Sequence, residues 1–179
     1  MKFIFIMLGM IVMPLLSVAA EEGFHATLRP GDTAEVTATP DSYYRLPGTN
    51  VFRLEPEGKN VTITVIQDYL FIDSGEHSAR TKETLVINDH NLNVLLDSGS
   101  KGVSIYPDDA AAIILRRYPE AQLFEGELRV EGDDLAYIVP SYLRARFLWV
   151  FPFTKKADVV VNAETGALSH EPFPWYVST

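Results

Sequence analysis

Tyr106-Pro107-Asp108-Asp109-Ala110-Ala111-Ala112-Ile113-Ile114-Leu115-Arg116-Arg117-Tyr118-Pro119 carries a full set of helix signals. Proline suits the first helical position, because its missing N–H is one that a helix leaves unpaired there anyway. Asp108 and Asp109 set negative charge at the positive end of the helix dipole, and Arg116 and Arg117 set positive charge at the other end. Ala111, Ile114, Leu115 and Tyr118 recur at the spacing that lines one helical face, so that face is apolar. Pro119 ends the run. One helix with one apolar stripe has to bury it against a sheet, so the surrounding residues should be strands.

They read that way on both sides. Before the helix, Thr33–Thr39 and Asn60–Ile66 alternate apolar and polar residues, and β-branched residues dominate the second. Val51–Leu54 and Tyr69–Ile72 are short strand runs. Thr84–Asn88 and Leu92–Leu96 flank Asp89-His90-Asn91 as a hairpin. Residues 74–83, small and polar, read as a loop. After the helix, Gln122–Val130 reads as a strand and Leu135–Val139 as one that stops at Pro140. Tyr142–Phe151 reads as a single long strand, with Leu143, Ala145, Phe147, Trp149 and Phe151 on one face. Asp158–Asn162 runs into an Ala163–Gly166 turn. The expected class is therefore α+β, mostly antiparallel β. A β-rich region over 21–103, as a sandwich or open barrel, precedes a one-helix-plus-antiparallel-sheet region over 104–179 that ends in an aromatic tail.

Composition narrows the function. The chain has 179 residues, a formal net charge of −9 and no cysteine. The acidic balance argues against a nucleic-acid partner, whose phosphates need a basic face. Absent cysteine excludes disulfides, thiolate metal sites and a cysteine nucleophile. Residues 1–20 have the layout of a secretory leader: Lys2, an apolar run from Phe3 to Leu16, then Ser17-Val18-Ala19-Ala20. Cleavage after Ala20 is expected, giving a periplasmic or secreted bacterial protein with no membrane insertion once the leader is gone.

Residues 104–168 resemble a PepSY domain. The resemblance rests on Ser104–Ala121, with its Pro-acid helix start and Ala-rich helix ending near a proline. It rests also on Ala157-Asp158-Val159-Val160-Val161-Asn162-Ala163-Glu164-Thr165-Gly166-Ala167-Leu168, a strand running into a Thr-Gly turn. Asn162 stands where family members usually have Asp, and the connecting strands are longer and more aromatic. The resemblance implies a non-catalytic module that binds or restrains a protein partner, and it supplies no catalytic residues.

Three constellations compete with that reading. Val94-Leu95-Leu96-Asp97-Ser98-Gly99 has the form of an aspartic-protease strand, and Asp73-Ser74-Gly75 could supply the second carboxylate of a proton-sharing pair. The plainer reading is two strands ending in the same turn chemistry. His25, His77, His90 and His170 show no metal-ligand spacing, so neither a metal nor another cofactor is expected. Phe147, Trp149, Phe151 and Phe153 recur at strand period and, with Trp175 of the tail, are the candidate partner-binding residues. Packing against the helix is their alternative use. The sequence thus points to an exported, non-catalytic binding module that modulates an envelope or secreted protein, such as a protease. The alternatives are a carrier of a small apolar ligand or a hydrolase using Asp97.

Overall fold

A computed structural model of the chain describes residues 25–31, 35–36, 44–45, 51–88, 91–147, 151–169 and 177–178. Its strands are β1 (His25–Leu28), β2 (Glu35–Val36), β3 (Tyr44–Arg45), β4 (Val51–Leu54), β5 (Val61–Ile66), β6 (Tyr69–Asp73), β7 (Ser78–Thr81), β8 (Leu85–Asn88), β9 (Asn91–Leu96) and β10 (Gly99–Gly102). Helix α1 (Pro107–Arg117) follows, then β11 (Gln122–Leu123), β12 (Gly126–Glu131), β13 (Asp134–Phe147), β14 (Phe151–Asn162) and β15 (Val177–Ser178). The class is β-rich α+β, as expected. The leader and most of the Thr33–Thr39 run lie outside the described residues.

The smaller sheet has the order β10-β9-β8-β1-β2. In the larger one, β13 is flanked by β14 along one edge and by β12, β11 and β15 in turn along the other. β12 then continues the sheet through β7, β6, β5, β4 and β3. Among the described residues all pairings are antiparallel except β12 with β7, where Gly126 lies opposite Ala79 and Glu127 opposite Arg80. That parallel junction joins the two parts of the chain into one sheet. Arg80 reinforces it through Glu125 at 3.9 Å and Glu127 at 3.7 Å. The Glu127 carboxyl is held below its usual range, first by a hydrogen bond from Arg129. One buried cluster runs through both sheets and the helix, from Leu28 and Ile87 through Ile63 and Ile72 to Ile114, Leu143 and Val159.

The helix forms where the sequence places it. Pro107, Ala110, Ala111 and Ile114 are buried, and Tyr118 caps the C-terminal end over the same core. Leu115 is only half-buried, so the stripe is centred on Ala110 and Ile114. Its entry is fixed from a distance, because the carbonyl of Ala163 accepts the N–H groups of Ser104 at 3.1 Å and Ile105 at 2.9 Å. Ala163 is itself set by the turn after β14. There Asn162 Oδ1 accepts the Glu164 N–H at 3.0 Å, the Thr165 N–H at 2.8 Å and the Thr165 hydroxyl at 3.0 Å. Only the acceptor oxygen is used, so asparagine serves as well as aspartate at this position.

Four readings change. Residues 74–83 are not all loop, since β7 lies between β6 and β12 with Ala79 and Thr81 fully covered. Small side chains are needed there because α1 packs across that strand, and a sequence of small residues has no apolar alternation to reveal it. Gln122–Val130 divides into β11 and β12. Pro140 does not stop β13. Its carbonyl accepts the Phe124 N–H at 3.0 Å, so its nitrogen faces the edge where the neighbour changes from β12 to β11. Only the reciprocal bond to Phe124 is missing, at the gap where β11 has ended and β12 has not begun, so the proline is tolerated. Finally, Tyr142–Phe151 is not one strand. Phe147 pairs antiparallel with Phe151, so the chain reverses between them without glycine, asparagine or proline to announce it.

Candidate functional site

The reversal makes β13 and β14 a long hairpin. Cross-strand partners share a face, so Leu143 with Lys155 and Ala145 with Phe153 form one side, with Phe151 next along it. Tyr142 with Lys156, Arg144 with Thr154 and Arg146 with Pro152 form the other. Leu143 and Ala145 are buried beneath the helix end. The aromatic row continues past that cover. Phe153 is 36% exposed and Phe151 64% exposed. On this side the buried residues end at Ala145, and Phe151 and Phe153, the two members of the aromatic row whose side chains are described, are exposed. The Phe147 backbone lies opposite Phe151, while Trp149 and Trp175 lie outside the described residues.

A groove of about 710 Å³ opens where the helix ends and the hairpin continues. Tyr118–Ala121 forms one wall, and Arg144–Arg146 with Pro152–Thr154 forms the other. That size is in the range of binding clefts. Arg144 meets Glu120 across it at 3.3 Å. Both groups are largely exposed, so the pair contributes little to stability. Phe124 and Tyr142 stack edge to face at 5.3 Å on the adjoining surface. Sequence reasoning missed the cations here, although the signal was present. From Leu135 to Ala157 there is no acidic residue, yet Arg144, Arg146, Lys155 and Lys156 all fall in that stretch of an acidic chain.

The structure does not bring Asp73 and Asp97 together as a protease pair. Asp97-Ser98 is the two-residue turn between β9 and β10, with Leu96 opposite Gly99. Asp73 ends β6 in the other sheet. Burial raises the Asp73 carboxyl, with no contribution from a second carboxylate. Paired carboxylates sharing a proton would shift each other instead.

The strongest polar cluster sits at the start of α1. The Ser74 hydroxyl accepts the Asp108 N–H at 2.9 Å. The Asp108 carboxylate accepts the His77 N–H and meets His77 Nδ1, both at 2.9 Å. Asp109 pairs with Lys59 at 2.8 Å and accepts the Tyr106 N–H at 3.0 Å. Beneath them Tyr137 is 1% exposed, and among the described residues its hydroxyl has no hydrogen-bond partner. Burial pushes that phenol far above its ordinary range, with smaller contributions from Tyr106 and Asp109. The cluster docks the helix on the β6–β7 connection, and the pocket that His77 and Tyr137 line there has a volume of only about 10 Å³. An orphaned buried hydroxyl costs about 1–3 kcal/mol. Tyr137→Phe should therefore raise the unfolding free energy by about 1 kcal/mol in urea titration, whereas a loss of stability would show that the hydroxyl is hydrogen-bonded in solution.

No protein-family model matches the chain, and no curated protein and no solved structure matches it either.

Proposed function

We propose that the protein is an exported, non-catalytic binding module that modulates an envelope or secreted protein, and that the groove between the α1 end and the β13–β14 hairpin receives a segment of that partner. The observation that carries this is the groove itself. It is concave and lined by Tyr118, Phe153 and two arginines. Those are the ingredients of a site that takes an extended or acidic peptide segment. The resemblance of residues 104–168 to PepSY domains, which rests on the sequence, supports the same reading, since it implies a module that binds a protein partner. The leader-like residues 1–20 support action outside the cytoplasm.

A photo-reactive phenylalanine analogue tests it. Placed at Phe153 in the envelope of the native host, it should cross-link one protein in stoichiometric yield. Placed at Ile66, which is exposed at the end of β5 far along the sheet order, it should not. Identical adducts at both positions, or none at Phe153, would reject the groove as a partner site.

A further inference from the structure

The outer edge of β14 is taken only near the turn that follows it. There the Asn162 N–H donates to the Ala167 carbonyl at 2.8 Å, and the Val160 carbonyl accepts the Ser169 N–H at 3.0 Å. Asn162 and Val160 therefore turn their backbone groups away from β13. Backbone direction alternates along a strand, and the register with β13 runs without a break from Asn162 to Phe151. Asp158, Lys156 and Thr154 must face outward as well. All three are exposed, and among the described residues none of their outward N–H and C=O groups has a partner. Pro152 is next in that outward row, at a place where a strand loses nothing by lacking an N–H. Phe153 and Lys155 turn their backbone groups to β13 and take no part in this edge.

An open edge is a template for another strand. The charge on this one selects which strand. The antiparallel register that pairs all three outward residues with those of a second copy sets Thr154 opposite Asp158 and Lys156 opposite Lys156. Like charges directly opposite are unfavourable, and an acid opposite the lysine is favourable. Arg146, paired with Pro152, lies on the same face as Lys156, and among the described residues neither cation has an ion-pair partner. The chain's own end lies elsewhere, since Val177 and Ser178 run along the opposite edge of β13. Thr154 is also a wall residue of the groove, so a segment lying in the groove reaches this edge directly.

We propose that an extended, acidic segment of a partner protein adds to the larger sheet as a strand beside β14, hydrogen-bonded to the backbone of Thr154, Lys156 and Asp158, with an acidic side chain against Lys156. In such an addition the main-chain bonds supply affinity and the alternating side chains supply selectivity. This strand addition rests on the reading that a partner segment reaches the hairpin; it gives that segment a conformation and a charge.

The protein is recovered from the periplasm of a bacterial host, with its N-terminus fixed by mass spectrometry, and panned with a phage library of short random peptides. Enriched peptides should alternate apolar residues with acids. Thr154→Pro with Lys156→Pro removes two outward N–H groups and no bond to β13, so it should keep the fold while weakening synthetic copies of those peptides by at least about tenfold. Lys156→Glu should shift the enrichment from acidic to basic peptides. Circular dichroism checks that each variant is folded; if the proline pair does not fold, methylation of the peptide's own amides decides. Binding should then fall at every second amide and hold at those between, because alternate residues face β14. No enriched peptide, indifference to the prolines, methylation effects without that period, or acidic enrichment that survives Lys156→Glu would each overturn the strand addition. So would peptides that withstand the prolines but are lost with Arg146→Glu, which would leave the groove alone as the partner site.

Discussion

Ile114→Ala should lower the unfolding free energy by about 3–4 kcal/mol, near the upper part of the range for a buried Ile→Ala change. Ile114 has no exposed surface and belongs to the cluster shared by both sheets. It sits mid-helix between Ala110 and Tyr118, so neighbours cannot close over the space that truncation leaves. The backbone gains slightly from the change, because alanine is the better helix former; the loss is therefore a packing loss. Ala112→Gly on the exposed side of the same helix supplies the contrast, costing about 1 kcal/mol through propensity alone. For a chain of this size each kcal/mol moves the melting temperature by roughly 2–4 °C, so a fall of roughly ten degrees is expected. If Ile114→Ala costs no more than Ala112→Gly, α1 is not the cover of the larger sheet.

That helix was legible because all its signals are local. Pro107, the two aspartates and the terminal arginines act within a few residues of where they stand, and the observed span, Pro107–Arg117, follows them. The β8–β9 hairpin was legible for a similar reason, pairing across a short turn, and β5 and β6 were legible as separate strands. What could not be read was set by distant partners. β7 is a strand because β6 and β12 lie on either side of it, and residues 78 and 126 are far apart in the chain. Pro140 passes through a strand because the edge neighbour happens to change there. The candidate site was half legible. Period-two aromatics identified Phe151 and Phe153, but the reversal at Phe147 and Phe151 has no turn signal. That placed the aromatics on one continuous strand face, and it hid the groove.

The contact least visible in the sequence should also be among the most sensitive. Gly75, in the four-residue connection between β6 and β7, has φ +111 and lies directly under the Asp108 carboxylate. A Cβ there would overlap Asp108 Oδ2. The carboxylate has little freedom to retreat, since the His77 N–H, His77 Nδ1 and, at 3.4 Å, the Glu76 N–H all hold it. Helix and loop satisfy each other: Ser74 takes a helix N–H, and Asp108 takes those of the loop. Gly75→Ala should break this arrangement as well as strain the backbone. The strain is of order 1–3 kcal/mol, and the displaced hydrogen bonds add about 1–2 kcal/mol after allowance for their partial exposure. A total near 3–4 kcal/mol is expected. A double-mutant cycle separates the parts. In an Asp108→Ala background the clash is gone, so Gly75→Ala should cost at least about 1 kcal/mol less there than in the wild type, well outside the roughly 0.5 kcal/mol scatter of independent sites. Simple additivity would mean that the penalty is backbone strain alone and that the Asp108 carboxylate does not tie the β6–β7 connection to the helix.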